Sequence, residues 1–514
     1  MRHTCVISVA NNYLRVYDYA EEFVDRVLKP FCRMYLSKTG MVPAKHNPRL
    51  QVMAVTHRFM RFNHDQSEIR FTSSLLEELK TFIGTRGYAP KRILQVNEPE
   101  IIPMPVTINF KPGIGTPKDD QLDWLKYIME EGPLKLNNAA TGVGKTFMSI
   151  WTAVQLQQRV VIIANARFLP IWKVECGNLL DIGPEDYVET DVGGLDNFLA
   201  ALKKGTINPK IVVISLTKID IMLKKSKADP LAPDLDDFYR EYRPGLRVYD
   251  EAHESIHQLY LSMMFGNIRK TIANTATVKA EDAMTNKIYG YLYPKECRLR
   301  ETEYSAHMHV KALFYRVDTS KHRIRSMARG VYNDTVFEAS IMDNHKLRPQ
   351  YIEMMYKFFD DYYYHRRRPD TKCLFFFTKV ETCKIMVAAL LKRYPDLDAI
   401  SFTGEQGGKA DTKDEYRKHE VVFSTPGSCG TGKDIPGLIT CISFHNVKSL
   451  QRNYQMRGRI RPIKQSENPD LERIYGYTVC LNEKKHKEYH KYRKELFEES
   501  SLSYQSVDTG FTLA

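Results

Sequence analysis

The chain has 514 residues, enough for three domains that each bury a core, and its 43% hydrophobic and 27% charged residues are typical of a globular protein. Its net charge of +13 favours a polyanionic partner, because lysines and arginines that neutralise phosphates release counterions. None of the nine cysteines forms a CxxC pair, which argues against zinc ribbons and thioredoxin-like sites and predicts reduced, mostly buried thiols. No apolar run is long enough to span a membrane, and the charged first thirty residues exclude a secretory signal, so a cytoplasmic protein is expected.

The first 95 residues mix short alternating stretches with two helical patterns, which predicts a small α+β accessory domain, a candidate for DNA binding. The second helical pattern begins at Ser74 and has Glu77 three residues later, the spacing of a capping box. Residues 96–118 contain five prolines and two glycines, a composition that predicts a linker.

After this linker, short apolar runs alternate with helical patterns in two series, residues 119–305 and 306–490. Apolar strands separated by helices are typical of βαβ units and of parallel sheets that are covered on both faces. We therefore predict an α/β protein in which two tandem parallel-sheet lobes follow the small α+β domain. The charged residues 491–514 predict a solvated helix that ends in a frayed tail.

The octet AATGVGKT follows the first apolar run of the first lobe. It fits the phosphate loop G-x-x-x-x-G-K-[S/T], with alanine in the first place. The glycines let backbone amides approach a β-phosphate, Lys145 reaches the β and γ oxygens, and the Thr146 hydroxyl can hold Mg²⁺. The nucleotide-binding residues predicted in this loop are Ala139, Ala140, Thr141, Gly142, Val143, Gly144, Lys145 and Thr146.

The run LRVYDEAH places Asp250 and Glu251 at the carboxyl end of another apolar strand, where open parallel sheets bind their ligands. An acidic residue there can hold Mg²⁺, and its neighbour can orient and deprotonate the water that attacks a γ-phosphate. We therefore predict Thr146 and Asp250 as magnesium ligands, and Lys145, Asp250 and Glu251 as catalytic residues of ATP hydrolysis.

Four segments, AATGVGKT, DEAH at 250–253, TAT at 275–277 and QMRGRIRP at 455–462, resemble motifs I, II, III and VI of the superfamily-two helicases and translocases. Within that superfamily, which the chain resembles over residues 115–490, it is most similar to phage DNA helicases of the UvsW type. The resemblance implies two RecA-like lobes, ATP and Mg²⁺ as cofactors, and forked, branched or duplex DNA or RNA–DNA hybrids as partners. It also implies fork regression, branch migration and R-loop unwinding in the host cytoplasm, compatible with a monomer.

The resemblance assigns further residues. His253 would couple the ATP site to motif VI, where Gln455, Arg459 and Arg461 would face the γ-phosphate. The family pattern Q-x-x-G-R-x-x-R ends here in Pro462. The arginine finger, which offsets charge on the γ-phosphate, would therefore be either Arg461, placed by a shifted turn, or Arg459 alone. The nucleotide-binding residues that it implies outside the phosphate loop are Gln121, Gly432 and Asp434. The residues that it implies for nucleic-acid contact are Ala166, Arg167, Thr217, Thr378, Lys379 and Thr425.

Several alternatives stand beside this interpretation. His253, Glu254 and His257 form an HExxH sequence, but a zinc protease needs that sequence on a helix and would leave the phosphate loop unexplained. The basic run HRRRP at 365–369 fits a phosphate-binding patch and a solvated turn equally well. The alternative functions are an RNA helicase or transcription-release ATPase of the same superfamily, and a non-enzymatic nucleic-acid clamp.

Overall fold

The computed structural model describes residues 3–43, 52–139, 143–190, 194–253, 255–275, 283–298, 307–403, 415–429, 435–460 and 470–514. The chain divides into two compact units, residues 1–302 and 303–514. Within the ranges given, no helix is long and apolar enough to cross a membrane. All nine cysteines are free thiols and buried, in agreement with their scattered spacing.

The first unit begins with the predicted small α+β domain. Its elements are β1 (Cys5–Val9), β2 (Tyr13–Tyr17), α1 (Glu21–Phe23), α2 (Lys29–Tyr35), β3 (Ser37–Pro43), β4 (Val52–Arg58), β5 (Arg61–Phe62), β6 (Glu68–Thr72), α3 (Leu76–Thr85) and β7 (Ile93–Asn97). Five strands form a sheet in the order β5-β6-β2-β1-β7, in which only β1 and β7 pair in parallel. Strands β3 and β4 pair separately as an antiparallel hairpin.

A parallel sheet forms the rest of the first unit, as predicted. Its elements are α4 (Asp119–Met129), β8 (Leu134–Asn137), α5 (Lys145–Leu156), β9 (Val160–Ala164), α6 (Leu169–Leu179), β10 (Tyr187–Glu189), α7 (Gly194–Lys203), β11 (Ile211–Ser215), α8 (Leu216–Ala228), α9 (Leu235–Tyr242), β12 (Leu246–Tyr249), α10 (Ile256–Ser262), β13 (Lys270–Asn274) and α11 (Ala283–Leu292). The six strands are ordered β10-β11-β9-β12-β13-β8, and all five neighbouring pairs are parallel. Two apolar clusters cover the two faces, which explains why the central strands β9 and β11 consist almost entirely of apolar residues.

The small domain and the first lobe share one continuous hydrophobic core. The rings of Phe59 and Tyr260 meet edge to face across this boundary with centroids 5.2 Å apart. The predicted capping box is wrong: α3 starts after a 3₁₀ turn, and the Ser74 hydroxyl donates to the Tyr291 carbonyl of the lobe at 2.6 Å instead of capping the helix. The Ser74 hydroxyl therefore makes a tertiary contact with the lobe and does not form the helix cap that the sequence pattern predicts.

Residues 96–118 connect the domain to the lobe, but they are not a free tether. Backbone amides along the segment donate to lobe carbonyls, Ile101 to Asn267, Met104 to Arg243 and Lys111 to Leu179, each at 2.9 Å. Ile108 is fully buried. The prolines keep the backbone of this segment extended, and its amides find acceptors on the lobe surface. The segment is therefore an extended strap that lies along the lobe.

The second unit is a second parallel-sheet lobe, also as predicted. Its elements are β14 (His309–Val317), β15 (Met327–Ala328), β16 (Val331–Tyr332), α12 (Asp334–Met342), α13 (Leu347–Tyr362), β17 (Lys372–Phe376), α14 (Val380–Arg393), β18 (Ala399–Phe402), β19 (Val421–Ser424), α15 (Pro426–Cys429), β20 (Leu438–Ser443), α16 (Leu450–Arg457), β21 (Ile474–Cys480), α17 (Lys484–Glu498) and β22 (Ser503–Leu513). The order is β18-β19-β17-β20-β21-β14-β22, and every neighbouring pair is parallel.

The predicted frayed tail is wrong. The helical part is present as α17, but the residues after it form β22, an 11-residue strand that pairs with β14 along its length. Leu513 at its end is fully buried. The polar composition of this segment hides the strand, because all but one of its residues are at least partly exposed on an edge strand and supply no apolar run.

A buried carboxylate at the start of α12 ties the second unit together. Asp334 Oδ2 accepts from His445 Nδ1 at 2.8 Å and from the Asn446 amide at 2.7 Å, and Oδ1 accepts from the Tyr332 hydroxyl at 2.6 Å. Burial alone would raise the pKa of Asp334, but hydrogen bonds from His445 and His486, and their charges, outweigh it and hold the pKa well below its ordinary value.

We expect Asp334→Asn to destabilise the second unit by about 3 kcal/mol at pH 7, because it removes the charge from a buried hydrogen-bonded cluster. Since the folded pKa is depressed, the stabilisation is complete above the unfolded value of about 4 and is lost as the pH falls below it. The difference from wild type, measured by urea unfolding, should therefore shrink below pH 4. Asp343→Asn, an exposed residue at the end of the same helix, is the matched control; equal losses in both variants would contradict this account.

Candidate nucleotide and nucleic-acid sites

The predicted site residues of the first unit lie where strands end at one edge of its sheet. All strands of this sheet run parallel, so the segments after β8, β9, β11, β12 and β13 leave it at the same edge. Open parallel sheets bind ligands at this edge. The phosphate loop follows β8, and the DEAH segment follows β12 with only β13 between the two strands.

The described part of the phosphate loop has the geometry of an anion site. Gly144 adopts φ 98° and ψ 46° at the start of α5, a left-handed conformation that glycine enters without strain. Lys145 Nζ donates to the Ala139 carbonyl at 3.0 Å, which keeps the ammonium over the loop. Thr146 lies beside it in the first turn of α5, and Ala140, Thr141 and Gly142 lie outside the described residues.

Gln121 lies against the phosphate loop. Its Nε2 donates to the Val143 carbonyl at 2.6 Å, and its Oε1 accepts from the Lys118 amide at 2.9 Å. A side chain at Gly144 would collide with this amide, because a Cβ there would stand 2.5 Å from Gln121 Nε2. In this conformation the Gln121 side chain therefore supports the loop. Both hydrogen bonds would have to break before its amide could bind a nucleotide.

Asp250 and Glu251 form a partly buried carboxylate pair at the turn after β12. Asp250 Oδ1 accepts from the Glu251 amide at 3.0 Å, and Oδ2 accepts from the Trp172 indole Nε1 at 2.9 Å. Burial and the neighbouring Glu251 carboxylate raise the pKa of Asp250 to about 7, against the opposing effects of the Trp172 hydrogen bond and the Lys145 charge. Glu251 has φ 46°, an uncommon left-handed conformation for a residue with a side chain.

An amide network that sequence reasoning missed joins three of these segments. Asn137 Nδ2 donates to Asn274 Oδ1 at 3.0 Å, and Asn274 Nδ2 donates to Ser149 Oγ at 2.9 Å. The Asn274 carbonyl accepts from the Ala252 amide at 2.8 Å, next to the carboxylate pair. Asn137, Ser149 and Asn274 are all buried. The signal that could have found the network was an asparagine at the last position of a strand, as Asn137 and Asn274 both are.

His253 joins the DEAH turn to the end of β13. Its Nδ1 lies 2.8 Å from Thr275 Oγ1 and 3.3 Å from Glu251 Oε2. Thr275 is the first residue of the TAT segment, whose other two residues lie outside the described ranges. Coupling of His253 to motif VI stays a prediction.

The HExxH sequence does not have the geometry of a zinc site. His257 Nε2 lies 2.9 Å from the Arg58 carbonyl of the small domain and packs against the His57 ring. Helix α10 begins at Ile256, after a left-handed Ser255, so His253 precedes the helix and faces Thr275. The two histidines therefore engage separate partners and do not share a helix face.

The predicted nucleic-acid contacts of the first unit lie on neighbouring strands. Ala166 and Arg167 form a 3₁₀ turn after β9, in which Asn165 caps the Arg167 amide, and both residues are exposed. Thr217 is exposed in the first turn of α8 after β11, where Ser215 Oγ accepts from the Lys218 amide at 3.3 Å. Strands β9 and β11 pair directly, so the two segments flank each other at one edge of the sheet.

The corresponding residues of the second unit also follow adjacent strands, β17 and β19. The amides of Thr378 and Lys379 donate to the two carboxylate oxygens of buried Glu338 at 2.8 and 3.0 Å. Thr425 Oγ1 lies 3.0 Å from Ser428 Oγ at the start of α15. Glu338, which no sequence pattern marked, thus holds the backbone of Thr378 and Lys379 in place. The predicted nucleotide-binding residues Gly432 and Asp434 lie outside the described residues.

The arginines of QMRGRIRP have different surroundings. Arg457, at the end of α16, is buried, and its Nη1 donates to the Ser500 carbonyl at 3.0 Å, which ties α16 to the end of α17. Arg459 Nε donates to the Gln455 carbonyl at 3.1 Å. Arg461 lies outside the described residues. Arg457 is therefore held within the unit, and the assignment of Gln455, Arg459 and Arg461 to a γ-phosphate stays a prediction.

The HRRRP run is closer to the solvated-turn alternative. Arg366 Nη2 donates to the Glu472 carbonyl at 2.7 Å, and Arg367 Nη2 donates to Asp396 at 3.1 Å. Arg368 makes a two-pronged bond to the Asp470 carboxylate, at 2.9 and 2.5 Å. All three guanidinium groups thus have acceptors of this unit, which fixes the turn before β17.

No protein-family model and no curated protein matches the chain. Solved structures similar to it include a fragment assigned as the HsdR subunit of a type I restriction enzyme from Vibrio vulnificus YJ016, with 15% identity over 77% of this chain and 72% of that chain and a TM-score of 0.46. Dbp5 of S. cerevisiae, solved with RNA and ADP BeF3, has 10% identity over 76% and 90% and a TM-score of 0.48. The Hef helicase domain of Pyrococcus furiosus has 14% identity over 74% and 98% and a TM-score of 0.40. At such identities and scores, function has to be argued from the residues of the site.

We expect Ser149→Ala to destabilise the first unit by about 1–3 kcal/mol, because the Asn274 amide then loses the acceptor of a buried N–H. Thermal unfolding of the variant measures the effect. Ser67→Ala, which removes the same atom from an exposed turn, serves as control and should stay within about 0.5 kcal/mol of wild type. An unchanged Ser149→Ala protein would show that the network contributes nothing to stability.

Proposed function

We propose that the protein is a nucleic-acid-dependent ATPase of the superfamily-two type that remodels branched DNA. Fork regression, branch migration and R-loop unwinding are the activities that its resemblance to UvsW-type phage helicases suggests. A motor of this kind grips the sugar–phosphate backbone, so little sequence preference is expected.

One observation carries the ATPase part of the proposal: Lys145 and the Asp250–Glu251 pair lie together at the carboxyl edge of one parallel sheet. The Lys145 charge is close enough to act on the Asp250 carboxyl. On this proposal Lys145 is the cation for phosphate oxygens, Asp250 the carboxylate for a metal and Glu251 the carboxylate for a water, which are the groups that γ-phosphate hydrolysis needs.

The residues fit Mg²⁺ as the accompanying ion. Thr146 and Asp250 offer hard oxygen ligands, and the ionised Asp250–Glu251 pair is a partly buried concentration of negative charge that a divalent cation would neutralise. When bound, Mg²⁺ would offset negative charge on the β- and γ-phosphate oxygens. Glu251, held at the turn by its unusual φ, would orient and deprotonate the attacking water.

The charge distribution favours the small domain as a second DNA contact. Residues 26–64 contain eight lysines and arginines and no aspartate or glutamate, whereas residues 119–302 contain 23 basic and 25 acidic residues. Arg33 and Arg58 of this acid-free stretch are exposed. Phosphate contacts from such side chains add affinity whatever the sequence. The positive charge of the first unit is therefore concentrated on its small domain.

The alternatives remain an RNA helicase or transcription-release ATPase and a non-enzymatic clamp. Contacts to the backbone serve DNA and RNA alike. ATPase assays with forked DNA, duplex DNA and RNA therefore have to distinguish the proposed DNA motor from an RNA helicase or transcription-release ATPase. A clamp would bind nucleic acid without hydrolysing ATP.

We expect Glu251→Gln to lower the ATP turnover number by about 10²- to 10⁴-fold while ATP still binds, because the variant loses only the base. Lys145→Ala should lose both binding and turnover. Glu241→Gln makes the same chemical change on an exposed face of α9 and should leave turnover unchanged. Substantial hydrolysis by either site variant would refute the assignment.

We expect the double variant Arg33→Glu/Arg58→Glu to bind forked DNA more weakly and with a flatter salt dependence, the slope falling by about one for each phosphate that is no longer neutralised. Basal ATPase without DNA should not change. The double variant Lys203→Glu/Lys204→Glu, exposed at the end of α7, changes the charge by the same amount and is the matched control, for which a smaller effect is expected. Equal weakening in the control, or a parallel fall in basal ATPase, would exclude a specific role of the small domain in DNA binding.

A further inference from the structure

The Asp250 carboxylate receives one hydrogen bond on each oxygen, and the two donors come from different places. The Glu251 amide, on Oδ1, belongs to the same turn. The donor to Oδ2 is the indole Nε1 of Trp172 at 2.9 Å, from α6, 78 residues earlier in the chain. Trp172 is therefore the one of these two donors whose position does not depend on the turn itself.

Trp172 is held rigidly. Its side chain is fully buried in the cluster that covers one face of the first sheet, next to strands β9 and β12. An indole has a single N–H and no acceptor, so its only polar group points at the carboxylate. Packing alone does not require this residue, because an aromatic ring without a polar atom would fill apolar space without needing a partner.

Two fixed donors restrict the rotation of a carboxylate about its terminal bond. Each oxygen of an ionised carboxylate can accept about two bonds, so one protein donor on each oxygen leaves room for a further ligand on both. Loss of the indole bond would leave only the Glu251 amide of these two donors and would free the carboxylate to turn. Outer donors of this kind commonly set the affinity of a metal site.

We propose that Trp172 is a positioning residue that holds the Asp250 carboxylate in the orientation required to bind Mg²⁺ together with the nucleotide. This inference rests on the proposed function. It assigns to the buried tryptophan of α6 a role in metal affinity, while catalysis itself stays with the residues at the strand ends.

The test compares Trp172→Phe with Trp124→Phe. Trp124 is buried in the same apolar cluster and loses the same ring area. For Trp172→Phe, the Mg²⁺ concentration that gives half-maximal ATPase should rise by about 10- to 100-fold, and turnover at saturating Mg²⁺ should recover. Mg²⁺-dependent binding of a fluorescent ADP analogue, measured without turnover, should shift by the same factor. Trp124→Phe should shift neither measurement.

Two results would overturn the inference: a Mg²⁺ dependence of Trp172→Phe equal to that of Trp124→Phe, or a loss of turnover that Mg²⁺ does not restore. If the phenylalanine variant fails to fold, site-specific benzothienylalanine at position 172 keeps the bicyclic shape and replaces the N–H by sulfur, and the same criteria apply. If the wild-type protein does not hydrolyse ATP, the proposed function fails, whereas the binding measurement still decides the role of Trp172.

Discussion

The arrangement of the site depends on one buried pair of amide side chains. Asn137 and Asn274 are register partners on the parallel strands β8 and β13, and a hydrogen bond of 3.0 Å joins their side chains at the point where both strands end. A buried amide without its partner would cost the desolvation of its polar atoms. The strand that leads into the phosphate loop and the strand that leads to Thr275 therefore cannot shift separately. The Asn274 carbonyl extends the constraint to the DEAH turn through the Ala252 amide.

Next to this pair of amides, the Asp250–Glu251 carboxylate pair is energetically unfavourable. Glu251 adopts a left-handed backbone conformation, and its carboxylate stands beside the partly buried Asp250, whose pKa is raised to about 7. A non-glycine residue in the left-handed region and two adjacent, partly buried acids each cost free energy that packing elsewhere must offset. Such local destabilisation is common at functional sites, where a ligand of opposite charge relieves it. The rigid amide network and the strained turn are therefore complementary: the first maintains the geometry that the second requires.

The sequence predicted strands that are buried on both faces of a sheet. It did not reveal contacts between residues that lie far apart in the chain. Runs dominated by apolar residues predicted β9, β11 and β12, because strands of a covered parallel sheet need apolar residues on both faces. The edge strand β22 was missed because half-exposed residues leave no such run. Ser74 followed a capping pattern, yet its hydroxyl donates to the Tyr291 carbonyl. Motif spacing located Lys145 and Asp250, but Trp172, 78 residues before its partner, follows no local pattern and only the fold reveals it.

The shared core of the small domain and the first lobe also determines how charge acts on a nucleic acid. The lobe itself carries slightly more acidic than basic residues, whereas residues 26–64 carry only basic ones. Because one hydrophobic cluster joins the two, and the strap of residues 96–118 is hydrogen-bonded along the lobe, the small domain is packed against the first lobe and not merely linked to it by the chain. Removal of the small domain would expose that cluster to water and destabilise the lobe, so a truncated chain could not distinguish weaker DNA binding from a failure to fold. Changes of single exposed charges separate the two effects, since they alter the field of the domain and leave the core intact.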